Sequence, residues 1–342
     1  MKLLLISLIM QFYGLNGLQS GTPISGYIVL DSIYNPALFE SSPEWRIHVL
    51  AEFTYTNDYE RRAEFVYDQF NNSVGEFTTY SNSHGYMKPT NITLSLAKKR
   101  INIVAGYELL SSLEYVFDQY VRSNDYSRLY HNYFISHGAI YSYFAGFGLR
   151  GNHVSFGLKI CRLVSSTDVN TNMSYILSPG DKSSIVKKTY SLWGNVDLLP
   201  RVHLSFSFSP DVTFEDIFPA VLGLLKVGTY LPDRTELGIS YTPPSDIVSE
   251  VQFIGGNRGD YPFYKINFVH NFLGIYPFEI GGGLQKIDGD VWDSNFHLGT
   301  GLIKNNLKMS VGINYHYTEV TAGVHKNYYT ETLINLKLVY SK

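Results

Sequence analysis

Residues Arg201–Pro210 read RVHLSFSFSP. Leu204, Phe206 and Phe208 take every second position, and His203, Ser205, Ser207 and Ser209 fill the gaps. A two-residue period belongs to a β-strand, because successive side chains point to opposite faces of its pleat. One face of this strand is apolar and the other polar. A soluble sandwich would turn the apolar face inward, whereas a membrane barrel turns it out to lipid and keeps the polar face in the lumen.

The same alternation recurs along the chain. Ile47, Val49, Ala51, Phe53 and Tyr55 oppose His48, Glu52 and Thr54. Val154, Phe156, Leu158 and Ile160 oppose Ser155, Gly157 and Lys159, and Ile334, Leu336, Leu338 and Tyr340 oppose Asn335 and Lys337. Turn material separates the segments, as at Arg150-Gly151-Asn152, Asp288-Gly289-Asp290 and Asn305-Asn306. The segments suit tilted membrane strands of about 9–11 residues, and their number predicts an all-β fold: a transmembrane antiparallel β-barrel of about 14 strands, roughly 12–16 being compatible. On this reading Leu204, Phe206 and Phe208 face lipid. An arginine at Phe206 is then costly, and one at Ser205, in a polar lumen, is expected to cost far less.

Composition agrees. The 342 residues are 17% charged and 15% aromatic, with 28 Tyr and 21 Phe and a formal net charge of −3. Soluble proteins carry about 25% charge. Tyrosines close several apolar rows, at Tyr55, Tyr107, Tyr241, Tyr317 and Tyr340, where an interfacial girdle belongs. The charge balance gives no footing for nucleic acid. Cys161 is the only cysteine, so no internal disulfide forms. Lys2, the apolar run Leu3–Met10 and the small residues Gly14, Gly17 and Ser20 read as a signal peptide over 1–20. Residues 21–44 then form an N-terminal plug-like segment. Residues 45–342 form the barrel, with loop inserts near 109–138 and 211–222.

Asn35-Pro36-Ala37, ahead of a strand starting near Trp45, resembles the segment of the FadL/TodX outer-membrane transporters that precedes the first strand. Residues 148–159, 233–243 and 278–316 are similar to the same superfamily, which includes PorV-type barrels. The terminal strand Ile334–Tyr340 resembles the signal by which bacterial outer-membrane barrels are recognised for insertion. The resemblance implies a bacterial outer-membrane location, a lumenal plug near Asn35, Pro36 and Ala37, and binding or passage of a hydrophobic, fatty-acid-like small molecule. Alternatively, it implies an anchor for a protein partner in secretion or surface attachment. Outer-membrane lipid is the surrounding partner in either case.

Two inserts break the alternation. In Ser111–Ser123, Leu113, Val116, Phe117 and Tyr120 recur at helical spacing, and Ser111 with Glu114 matches a capping box. Residues 211–222 suggest a second short helix. Both apolar stripes are candidates for solute capture or, alternatively, for loop packing on the barrel rim.

Catalysis and metal binding are not expected. His48, His153, His203, His297 and His316 share inward parity without an H-x-H or H-E-x-x-H pattern. Ser205 beside His203 lacks the orienting third group of a hydrolase, and no G-x-S-x-G occurs. No cofactor is implied. Glu52, Glu108 and Glu279 with Lys159, Lys265 and Lys337 are expected to form an ion-pair network inside the barrel.

Overall fold

The computed structural model describes residues 36–37, 39, 42–112, 114–122, 128–173, 176–214, 229–231, 233–244, 249–272, 276–288, 291–322 and 325–342. The expected signal peptide lies outside these residues, as do Asn35, Leu113 and most of the 211–222 insert. Among the described residues there are seventeen strands and no helix. They are β1 (Arg46–Tyr67), β2 (Ser73–Lys98), β3 (Ile101–Ser112), β4 (Tyr115–Arg122), β5 (Arg128–Arg150), β6 (Val154–Met173), β7 (Ile176–Leu199), β8 (Val202–Ser209), β9 (Val212–Phe214), β10 (Thr229–Leu231), β11 (Arg234–Tyr241), β12 (Glu250–Arg258), β13 (Tyr261–Phe272), β14 (Tyr276–Asp288), β15 (Val291–Lys304), β16 (Leu307–Ala322) and β17 (His325–Ser341).

Fourteen strands close an antiparallel ring. β17 returns to pair with β1, from His48 opposite Ser341 to Glu64 opposite His325. β4 continues β3 along the same neighbour, β5, while β9 and β10 pair apart from the ring. Closure satisfies the backbone polar groups internally and leaves no edge, which is the condition for crossing hydrocarbon with strands.

The alternation sets the two faces as the sequence predicts. On β8, Phe206 is 37% exposed on the outer surface, while Ser205 is 0% and Ser207 5% exposed on the inside. Val49, Ile92, Ile103, Phe147, Phe156, Leu237, Phe296, Val311 and Leu336 continue the outer apolar belt. Phe206 lies across Gly194 of β7, its register partner, where a Cβ would meet the ring at 2.0 Å. Aromatics close the belt at both ends: Trp45, Tyr241 and Tyr340 at the rim of the short turns, Tyr55, Tyr143 and Tyr190 at the other. At the first rim Lys99 and Asn305 adopt positive φ (52° and 54°) to close two tight turns.

At the far rim several strands run well past the belt. β1, β2, β5 and β7 have 22, 26, 23 and 24 residues. β8 and β11 have 8 each. The expected uniform segment length therefore holds only for part of the wall, which rises as hairpins on one side. The helix expected over Ser111–Ser123 is instead the end of β3 and then β4. β4 gains a full ladder on β5, from Tyr115 opposite Ser136 to Arg122 opposite Arg128, and this outweighs a local capping pattern. Glu114 is drawn sideways rather than back to its own turn, with its carboxylate 2.8 Å from Lys88 Nζ and 2.6 Å from His137 Nδ1.

Candidate functional site

The inner face is lined mostly by small and polar side chains, and one turn of chain enters it. Pro36 and Ala37 form that turn. It sits against β3, β5 and β6, where two glycines leave room. A Cβ on Gly148 would lie 1.8 Å from the Pro36 carbonyl oxygen, and one on Gly157 would lie 2.6 Å from Pro36 Cγ and 2.9 Å from the Ala37 nitrogen. Gly148 and Gly157 are direct register partners, so the strand pair carries a notch two residues wide. The proline ring fixes φ, which suits a rigid turn in so narrow a space.

Three backbone carbonyls tie the segment down. Asn102 Nδ2 donates to Pro36 O (3.3 Å), Arg150 Nη1 donates to Phe39 O (2.6 Å), and the Lys99 amide donates to Ser42 O (2.6 Å). The Arg150 guanidinium is itself oriented by Asp197, whose other oxygen meets His203 Nδ1 at 2.8 Å. Neutral bonds of this kind contribute about 1 kcal/mol each and the charge-assisted one more.

Beyond the turn lies an apolar constriction. Ala37, Trp193 on β7, Ile254 on β12 and Phe263 on β13 form one buried cluster. Trp193 donates its indole N–H to Ser191 Oγ (2.8 Å), which fixes the ring while leaving its faces apolar. Lys159 Nζ lies 4.5 Å from the Phe144 ring centroid and 4.8 Å from that of Trp193. The lysine thus lies between two rings. Lys265 likewise lies over Phe263, at 6.0 Å. Of the expected pairs, Glu52 and Lys337 are register partners on β1 and β17.

The sequence-based candidates separate here. Pro36 and Ala37 enter the lumen. Val116 lies on β4, where its carbonyl accepts a bond from Asn82 Nδ2 (2.6 Å). Phe117 and Tyr120 are also on β4, as strand residues rather than a helical stripe. Sequence reading missed Trp193, Ile254, Phe263 and the Gly148–Gly157 notch. The glycines of Gly148–Lys159 were visible as polar-face positions, but only the fold shows that they register with each other.

No protein-family model and no curated protein matches the chain. Solved structures do. A FadL homologue from Pseudomonas aeruginosa superposes with a TM-score of 0.63 at 10% identity, covering 96% of this chain and 97% of that one. The toluene transporter TodX of Pseudomonas putida gives 0.60 at 12% identity, over 91% and 92%. The toluene transporter TbuX of Ralstonia pickettii gives 0.56 at 10% identity, over 92% and 94%. The chain therefore has the FadL-like barrel fold.

Proposed function

We propose that this chain is a bacterial outer-membrane channel that binds and passes hydrophobic small molecules. One observation carries the reading: the Pro36–Ala37 turn is seated in the Gly148–Gly157 notch and faces Trp193, Ile254 and Phe263. A channel for apolar solutes needs an apolar surface inside a polar lumen and an obstruction beside it. The cluster supplies the first and the turn the second. The toluene transporters TodX and TbuX share the fold, which supports the solute class.

The test is uptake by the full chain in proteoliposomes. Toluene and a fatty acid should each enter with saturable rates, and Trp193→Ala should weaken saturation more than it weakens folding. Absence of saturable uptake or binding for both solutes would remove the proposal.

A second reading, an anchor for a protein partner, is favoured by one feature. Residues 115–122 and 128–138 continue the wall upward as β4 and β5 instead of folding over the lumen. Co-purification of a partner, lost when 113–135 are replaced by a short turn, would support it.

A further inference from the structure

We infer that the outer wall carries a binding site for the phosphate of an anionic lipid headgroup, built by Arg162 of β6 and Lys188 of β7. The two residues are direct register partners. Both belong to the outward row, and both are exposed. Neither has a hydrogen-bond or ion-pair partner among the described residues. Like charges directly opposite each other on one face of a sheet destabilise it. Their neighbours on β5, β6 and β7 do not relieve this. Tyr143 flanks Arg162 on β5, Ile160 and Tyr190 lie one step toward the belt, and Val164 and Val186 one step beyond it. None carries a negative charge.

Position identifies the missing counter-charge. Counting from Leu199 at the short-turn rim, the outward residues of β7 are Leu198, Val196, Gly194, Leu192 and Tyr190, and then Lys188. Eleven residues at ~3.3 Å each, in a strand tilted by roughly 40°, rise about 28 Å, the height of a barrel's apolar band and its interface. The pair therefore stands at headgroup level, beside the Tyr143 ring and one step above Tyr190, whose amphipathic character suits the same depth. Cations in the belt itself would be costly, but at this depth they attract anionic headgroups. A guanidinium presents a fork to two phosphate oxygens, and the ammonium opposite supplies a compact charge for a third. The ligand is lipid-borne phosphate, because Ile160 and Tyr190 join the pair on its belt side to the surface that acyl chains cover. This site is independent of what the lumen carries and depends only on the barrel spanning a bilayer.

The test uses the full chain in phosphatidylcholine nanodiscs with and without a minor fraction of phosphatidic acid. Lipid retained on delipidation is read by native mass spectrometry, and unfolding by heat-modifiable gel mobility. The wild type should retain phosphatidic acid in preference to phosphatidylcholine and unfold at higher temperature when it is present. Arg162→Gln with Lys188→Gln should lose that retention on the order of tenfold or more. Lys188→Gln alone should lose part of it, which keeps a readout should the double variant insert poorly. Lys304→Gln, at the opposite rim, should lose none. Retention unchanged by Lys188→Gln and by the double variant would overturn the site. So would the same thermal shift from inorganic phosphate in pure phosphatidylcholine, which would mark a free-anion site.

Discussion

Gly157 has no side chain where the Pro36 ring passes, and Gly148 none where the Pro36 carbonyl passes. Any Cβ at Gly148 must expel the turn, since 1.8 Å to backbone oxygen leaves no room to adjust. We expect Gly148→Ala to keep the barrel closed while raising passive flux of a small neutral solute, read by liposome swelling. Unchanged flux would mean that the turn does not obstruct. On the outer face, Phe206→Arg should cost about 2–4 kcal/mol of bilayer stability, measured by reversible unfolding in lipid. Ser205→Arg departs from its sequence-based expectation. Ser205 is fully buried, donates to Asn195 Oδ1 at 2.9 Å and leaves no open lumen around it. Overpacking there should cost about 1–3 kcal/mol, so adjacent arginines on the two faces are both harmful, for different reasons.

The extension of β3 into β4 depends on a lateral clamp. Burial raises the Glu114 carboxyl, but hydrogen bonds and charge from Lys88 and His137 outweigh it and hold the carboxyl below the ordinary glutamate value. A lowered folded pKa means stability that is present above the ordinary glutamate range and lost as pH falls through the folded value. Amide exchange in β4 should therefore quicken in acid. Glu114→Gln should quicken it at neutral pH too, by a local loss on the order of 1 kcal/mol. A β4 that exchanges at the same rate in acid and in the variant would exclude the clamp. The strands inside the belt were legible because lipid imposes a period of two on them. The continuation of β1 beyond Asn57, DYERRAEFVY, was not, because above the belt no lipid selects an apolar outer row, and the residues it buries, Glu60 and Ala63, do not alternate. β4 misled for a related reason: outside lipid its apolar residues happened to fall at helical spacing. The segment holding Pro36 and Ala37 was marked out by its local motif, but the two glycines these residues meet lie more than a hundred residues away and are brought together only by register.

At the scale of the molecule, the belt and the projecting wall separate. Joining Asn57 to Gly85, which are register partners, by a two-residue turn removes the β1–β2 projection and leaves the lipid-crossing ladder intact. The truncated chain should still show a heat-modifiable, closed barrel, and failure to do so would place part of the fold's stability in the hairpin. Closure itself has a temporal meaning. β1 and β17 meet along seventeen register pairs, and His48 Nδ1 lies 2.8 Å from Ser341 Oγ across a separation of 293 residues. Every other neighbouring pair in the ring can zip soon after it is made, but the first strand must wait for the last. Until then the chain holds two raw edges, each able to recruit a stranger's strand. The slowest step of assembly should therefore be the joining of β1 to β17, and its rate should respond to changes at that seam far more than to equal changes at β13–β14.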